Sequence, residues 1–199
     1  SDPGDEKDSK DPAEELNELA KDLEQLKEFK ERQNELNKDM GRSAGAGKTG
    51  EPNLEIAQKQ EGLRRDLEGL RDEWYQETGS LGKVGSLDQA GGEMKDAAGD
   101  LRRDSPREAQ PHGDLASEAL GNAISQVESA MAALAAGMVD QLQQEASGLG
   151  QKQSELSDET GKAKDGDGEN LKDQQEGINE LAQELLEKID QTARSMGNF

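Results

Sequence analysis

The chain contains no cysteine, one histidine, one tryptophan, one tyrosine and two phenylalanines in 199 residues. Without cysteine it has no disulfide, thiol nucleophile or cysteine-ligated zinc site. Leu, Ile, Val and Phe together make up 31 residues, about 16 % of the chain, which is below the roughly 20 % where a highly charged chain is suspected of disorder. An enzyme domain of this length normally has more aromatic and branched aliphatic residues in its core. The composition therefore disfavours a globular enzyme.

Long apolar runs are also missing. No stretch approaches the roughly 18 apolar residues that a membrane span needs, so we predict no span in this chain. Acidic residues are abundant instead, with 45 Asp and Glu against 24 Lys and Arg and a net charge of −21. Such a surface repels nucleic-acid phosphates and anionic membranes. We expect neither as a ligand, and no small-molecule substrate is evident.

The beginning of the chain lacks the pattern of a signal peptide. Residues 1–11 are mostly charged and contain no apolar core, so we interpret them as a flexible segment. The first residue is Ser1 and not Met, from which we expect the chain to be a fragment or processed product of a longer protein.

Apolar residues recur at intervals of three, four or seven, which predicts amphipathic helices. Asp11-Pro12 is a helix start signal, Ser86 with Gln89 forms a capping box, and Asp114 is placed to cap a fourth helix. No window shows the period-two alternation of a strand. We predict an all-α fold of about five helices in antiparallel hairpins, forming an elongated, coiled-coil-like bundle. The predicted helices span 12–40, 52–76, 86–101, 114–159 and 170–196.

Glycine-rich or proline-containing breaks separate these helices and define the predicted organisation. The breaks cover 41–50, 104–113 and 161–168. All helices are assigned to one helical domain, which is divided into a hairpin at 12–76, a linker at 77–85, a middle hairpin at 86–139 and a last hairpin at 140–197.

The first and last hairpins resemble each other in sequence. Three short matches recur in the same order, and their offset drifts only from 120 to 115 residues. They pair 33–36 with 153–156, 53–54 with 170–171, and 60–63 with 175–178. We infer a duplicated helix–loop–helix unit, and name 12–76 repeat 1 and 140–197 repeat 2. Chance similarity among Gln-, Glu- and Leu-rich helices is the alternative.

Two loops resemble ligand-binding motifs. Residues 44–49 look like a phosphate-binding loop, but Arg42 stands where its first glycine is needed and no strand precedes it, so a plain hairpin loop is favoured. The second loop offers calcium ligands at Asp165, Asp167, Glu169 and Glu176. Asn170 replaces the usual glycine there, so a solvated turn is favoured. A calcium- or cation-responsive acidic module is kept as the alternative function, and no other cofactor is expected.

Few other residues suggest chemistry. His112 lies in a predicted break and lacks a second histidine or cysteine nearby, which favours a surface-loop role over metal binding. Trp74 continues the apolar stripe of its helix, whereas the adjacent Tyr75 points elsewhere. We predict that Leu63, Leu67, Leu70 and Trp74 form the core or an interaction stripe. The catalytic residue set is empty.

Several segments resemble the helical region of large bacterial envelope proteins of unknown function (DUF 4175-like). They are the Leu-rich stretch 16–36, the segment 60–67 and the middle segment 87–120. The resemblance implies a membrane anchor outside this chain and a location in the bacterial cell envelope or periplasm, without a known activity.

These observations lead to one expected function. We expect a non-enzymatic structural or scaffold module that binds through helix faces, either to other copies of itself or to a neighbouring protein with basic patches. An enzyme whose site is completed by another chain is the remaining alternative.

Overall fold

The computed structural model describes residues 11–76, 84–162 and 168–197, and 94 % of these residues are helical. Within these ranges there is no strand, which confirms the predicted all-α class. The segment 1–10, most of the predicted linker and Asp165 and Asp167 lie outside the described residues. The helices are α1 (Pro12–Ala46), α2 (Glu51–Gln76), α3 (Gly85–Arg102), α4 (Pro106–Lys162) and α5 (Gly168–Met196).

The described residues fall into two compact units. The first, here the four-helix unit, lies within 18–131 and contains most of α1, all of α2 and α3, and the first part of α4. The second, here the hairpin unit, contains residues 11–17, the rest of α4 from 132, and α5.

In the four-helix unit, each helix contacts two neighbours in the cyclic order α1, α2, α3, α4. Side-chain hydrogen bonds or ion pairs at every seam join an early residue of one helix to a late residue of the next, so all neighbours are antiparallel. Representative pairs are Asp22–Trp74, Tyr75–Asp88, Ser86–Gln126 and Asn34–Ser117. This arrangement is an up-down-up-down four-helix bundle.

The core of this bundle is built from the predicted stripes. The stripe residues of α2 are buried, with exposed fractions of 1 % for Leu63 and Leu67, 4 % for Leu70 and 6 % for Trp74. The indole Nε1 of Trp74 donates a hydrogen bond to Asp22 at 2.5 Å, which satisfies its polar group. Opposite these large residues, α3 and α4 bury many alanines, which lets the helices approach closely. The buried alanines are Ala90, Ala97, Ala98, Ala109, Ala116, Ala119 and Ala123.

Helix α1 ends six residues later than predicted. It continues through Gly41 because Ser43 and Ala44 are buried, and Ser43 donates a hydrogen bond to Asn53 of α2 at 2.5 Å. The helix ends where Gly47 takes a φ of 61°, a conformation that glycine adopts without strain. Tertiary contacts at this end outweigh the helix-breaking tendency of the glycines.

The predicted break at 104–113 is wrong, because α4 begins at Pro106. Proline is favourable at a first helical position, where its missing N–H needs no partner. Only a tight turn separates α3 from α4, and Asp104 adopts a φ of 57° in it. Its carboxylate accepts hydrogen bonds from the Asn53 side chain at 3.0 Å and from the Gly50 N–H at 2.7 Å, and these lower the pKa of Asp104. Pro111 lies inside the helix and costs it one backbone hydrogen bond.

Two predicted caps are also wrong. Ser86 lies inside α3, whose N-cap is Val84 without a side-chain cap, and the Ser86 hydroxyl instead donates to Gln126 of α4 at 3.3 Å. Asp114 lies well inside α4 and accepts a hydrogen bond from Asn37 of α1 at 3.2 Å. Both side chains therefore join neighbouring helices, a use that local sequence does not reveal.

A reciprocal amide pair occurs in both repeats. In repeat 1, Gln33 and Gln60 are fully buried and exchange two hydrogen bonds, of 3.0 Å and 2.6 Å. In repeat 2, Gln153 and Gln175 exchange two hydrogen bonds of 3.3 Å each. These are the positions that the sequence matches pair, so the structure supports the duplication.

At Gly113, α4 packs closely against α1 in the four-helix unit. A Cβ at this position would overlap the Asn37 side-chain oxygen and lie 3.3 Å from the Met40 sulfur. At Gly148, further along the same helix, nothing lies within 4 Å of an added Cβ.

The buried amide pair yields a prediction about stability. Gln33→Leu leaves the Gln60 amide unsatisfied and should lower the free energy of unfolding by about 1–3 kcal/mol. Replacing both glutamines by leucine should recover most of this loss. Chemical denaturation measures both values. Gln153→Leu is the control, and its effect should stay within about 0.5 kcal/mol because that side chain is exposed.

Gly113 and Gly148 yield a second prediction. Alanine has a higher helix propensity by about 1 kcal/mol, so Gly148→Ala should stabilise the chain by about that amount. Gly113→Ala should destabilise it by about 1 kcal/mol, because the methyl group displaces Asn37 from its hydrogen bonds. Thermal unfolding of the two variants checks this, and equal shifts would contradict the close approach.

Candidate interaction face

In the hairpin unit, α4 and α5 pair as antiparallel helices. Lys188 of α5 lies 2.8 Å from Glu145 of α4, and these two residues together with the Gln153–Gln175 pair fix the register. The nearby ammonium group and a hydrogen bond from Gln141 lower the pKa of Glu145. The buried large apolar side chains of this part of α4 and of α5 are Met138, Leu156 and Leu185.

This unit has most of the exposed large apolar side chains of the described chain. The exposed fractions are 65 % for Leu186, 43 % for Ile189, 40 % for Leu181 and 37 % for Val139. Among the described residues of the four-helix unit, only Leu54 and Leu115 are comparable. The apolar stripe of α5 is therefore wider than the surface that α4 covers, and part of it is exposed.

Comparison of the repeats shows where this stripe is unusual. With an offset of 115 residues, Ile189 corresponds to Trp74, and Leu186 corresponds to Arg71. Trp74 is 6 % exposed, whereas Ile189 is 43 % exposed. Arg71 lies 3.2 Å from Asp88 of α3, which packs on that side of repeat 1. Repeat 2 thus has an exposed leucine where repeat 1 forms an ion pair with a covering helix.

The α4 side of repeat 2 differs from repeat 1 in the same way. In repeat 1, a row of α1 residues spaced by three and four contacts α4. Its contacts are Lys27–Glu128, Lys30–Gly121, Asn34–Ser117, Asn37–Asp114 and Gly41–Gln110. With an offset of 120 residues, the first four correspond to Ser147, Gly150, Ser154 and Ser157, all of which are exposed.

Together these positions define one surface, which we call the uncharged face. Its α4 row and its α5 row each advance by alternating steps of four and three residues. The α4 row is Gln143, Ser147, Gly150, Ser154 and Ser157, and the α5 row is Gln175, Asn179, Ala182, Leu186, Ile189 and Ala193. Neither row contains a charged residue, although 35 % of the chain is charged. Helical rows of this spacing are typical of helix–helix packing.

A groove is also present between α4 and α5. Two depressions of about 310 and 320 Å³ share Lys152 and Leu181 in their walls. In repeat 1 the equivalent residues are Arg32 and Asp66, which form an ion pair at 2.9 Å. No ion pair within the described ranges involves Glu155, Glu159 or Glu184, which line the groove. The groove is therefore open and acidic at its rim.

Only two of the four predicted calcium ligands lie in the described part of the chain. Asp165 and Asp167 lie outside the described residues, while Glu169 and Glu176 lie on α5. These two are seven positions apart, about 10 Å along a helix axis, so one ion cannot readily bind both. Glu176 lies 3.8 Å from Lys172. Calcium binding at this loop stays a prediction.

His112 lies on α4 and not in a loop, which corrects the sequence-based interpretation. Its Nδ1 lies 2.7 Å from a Glu93 carboxylate oxygen, and its Nε2 lies 3.8 Å from Asp100. The hydrogen bond with Glu93 is the main reason why the pKa of His112 is raised. Donor atoms of His112, Glu93 and Asp96 lie within 4.8 Å of one another and are of types that can hold a divalent cation.

The remaining motifs are structural. The phosphate-loop-like segment 44–49 includes the last turn of α1, and Lys48 N–H bonds to the Ser43 carbonyl, as expected for a plain hairpin loop. The Tyr75 hydroxyl donates a hydrogen bond to Asp88 of α3 at 2.7 Å. This hydrogen bond raises the pKa of Tyr75.

The sequence contains a signal for the uncharged face that the spacing of apolar residues alone does not reveal. Leu185 and Leu186 are consecutive, so only one can lie at the centre of the stripe, and the other widens it. The matching absence of charge on α4 becomes visible only when the two repeats are compared position by position.

No protein family model, curated protein or solved structure matches this chain. Among the described helices, none combines the length and the hydropathy required to cross a membrane.

His112 yields a prediction about pH. Its pKa in the folded state is raised above the unfolded value of about 6.5, so its ion pair with Glu93 stabilises the fold fully below that pH. The stabilisation should be lost as the pH rises through the folded-state pKa. Chemical denaturation between about pH 6 and pH 8.5 should show falling stability.

The control for this titration is His112→Gln, which removes the only histidine. Its stability should change less over the same pH range, and Glu93→Gln should lower the pKa of His112 measured by NMR. An unchanged histidine pKa in Glu93→Gln would contradict the assignment of Glu93 as the main cause.

Proposed function

We propose that this protein is a non-enzymatic helical interaction module that binds other helices through the uncharged face of α4 and α5. The observation that supports this most directly is the exposure of Leu186 and Ile189 at positions where repeat 1 is covered by other helices. Exposed apolar residues arranged on one face are characteristic of interaction sites.

The contrast between the two units supports the proposal further. The four-helix unit has an apolar core of its own, and its stripe residues Leu63, Leu67 and Leu70 are almost fully buried. The hairpin unit has two long helices in contact and leaves part of its apolar stripe in water. Two packed helices bury less apolar surface per residue than four, so a further helix on this face would stabilise the unit.

A cell-envelope location is part of this proposal only through the sequence resemblance to DUF 4175-like envelope proteins. It implies that the chain acts as a scaffold segment beside a membrane anchor carried elsewhere. The face itself suits any partner whose helices present an apolar stripe.

Site-specific photo-crosslinking in the organism that encodes the chain tests the proposed function. A photoreactive residue at Leu186 should give discrete protein adducts, because that side chain would lie inside the interface. The same probe at Leu54 is the matched control, since Leu54 is an exposed leucine of the four-helix unit at 45 % exposure. Mass spectrometry of the adduct identifies the partner.

Absence of adducts at position 186, or equal adducts at both positions, would contradict the proposal. An adduct with any protein at position 186 alone supports it, whichever protein that is.

A further inference from the structure

We propose that the uncharged face binds the same face of a second copy of this chain, so that two hairpin units form an intermolecular four-helix bundle. This inference deepens the proposed function and rests on it, because it names the occupant of the face. It is carried by the difference in charge between equivalent positions of the two repeats.

The four-helix unit shows how a hairpin of this sequence is covered. At two of the places where α3 and α4 cover repeat 1, an acidic residue of the covering helix pairs with a basic residue of repeat 1. Lys27 lies 3.4 Å from Glu128, and Arg71 lies 3.2 Å from Asp88. A charged occupant is therefore matched by opposite charge on the covered face.

Repeat 2 has lost both of these basic residues. Ser147 stands at the position of Lys27, and Leu186 stands at the position of Arg71. A charged occupant would bury its charges against this face without a partner, which is costly. The occupant must therefore be uncharged where it makes contact, and an uncharged face of matching length exists in this chain.

The face is also complementary to itself in size. Its α4 row is made of small residues, with Ser147, Gly150 and Ser154 at its centre, and its α5 row projects Leu186 and Ile189. When two copies are related by a twofold axis, every contact between a residue of one copy and a residue of the other occurs twice in the interface. The leucine and isoleucine of one copy can then fill the space above the small residues of the other.

The charges around the face predict how association depends on salt. The described parts of α4 from residue 132 and of α5 contain 12 acidic and 5 basic residues. Two such units repel each other at long range, whereas the contact surfaces themselves are neutral. Added salt screens the repulsion, so dimerisation should become stronger as the salt concentration rises. Association through ion pairs would become weaker.

Sedimentation velocity of the full 199-residue chain tests the proposal over concentrations up to roughly 100 µM. The expected result is a reversible dimer of the 21.5 kDa chain that strengthens with salt. Ser154→Glu and Leu186→Glu each place two charges in the interface, and each should raise the dimer dissociation constant at least about tenfold. Both positions are exposed, so circular dichroism should show unchanged helicity.

Leu115→Glu is the matched control, because Leu115 is an exposed leucine of the four-helix unit at 40 % exposure. The control should dimerise like the parent chain. The natural absence of cysteine allows a second measurement, in which a single cysteine at position 150 or 186 should form a covalent dimer on mild oxidation and one at position 115 should not.

A chain that stays monomeric over the whole concentration range, or a dimer that survives both face substitutions, would overturn the inference. A crosslinked adduct of Leu186 with a different protein, together with a monomeric purified chain, would overturn it while leaving the proposed function in place.

Discussion

The scarcity of large apolar side chains is the constraint on which this structure depends. A helical hairpin with only a few leucines on its inner stripe cannot remove enough apolar surface from water by itself, so it needs a second layer of helices. In the four-helix unit this layer is provided by α3 and the first part of α4. Their alanine rows bring the backbones close together, so that Leu63, Leu67 and Trp74 fill the space between them.

Because of this constraint, a duplicated hairpin needs a second set of covering helices. The sequence repeats the helix–loop–helix and even its reciprocal glutamine pair, but the described chain shows one covering pair of helices, in the four-helix unit. The pair in repeat 1 is sealed from water, while the equivalent pair in repeat 2 is not. In repeat 1 the buried amide pair favours one register of the two helices over its neighbours, since any slip leaves buried donors unpaired. Repeat 2 keeps the same amide pair without this burial.

The fold class and most helix interiors could be predicted from the spacing of apolar residues alone. The errors lie where a tertiary contact overrides a local signal. Pro111 and Gly113 indicate a break, yet α4 runs through them because Gly113 lets α1 pack closely and Pro111 costs a single hydrogen bond. Ser86 has the sequence context of a cap but bonds to another helix. Pro111 and Gly113 also predict a loop position for His112, whereas its pairing with Glu93 follows from the packing of α3 against α4, which no local pattern contains.

The uncharged face was predictable in part, because the sequence contains both the duplication and the consecutive leucines. What it could not supply is exposure, since Trp74 and Ile189 occupy equivalent positions and differ in exposure only through the packing around them. The loss of two basic residues in repeat 2 changes which helices the face can bind. Replacing Lys27 by its counterpart Ser147 removes an interaction that discriminates between partners, and replacing Arg71 by Leu186 adds apolar area. A face changed in both ways gains affinity for neutral, apolar helices and loses it for acidic ones such as α3. Repeat 2 is therefore poorly suited to packing against acidic helices such as those that cover repeat 1. This difference allows the two repeats of one sequence to bind different kinds of helix.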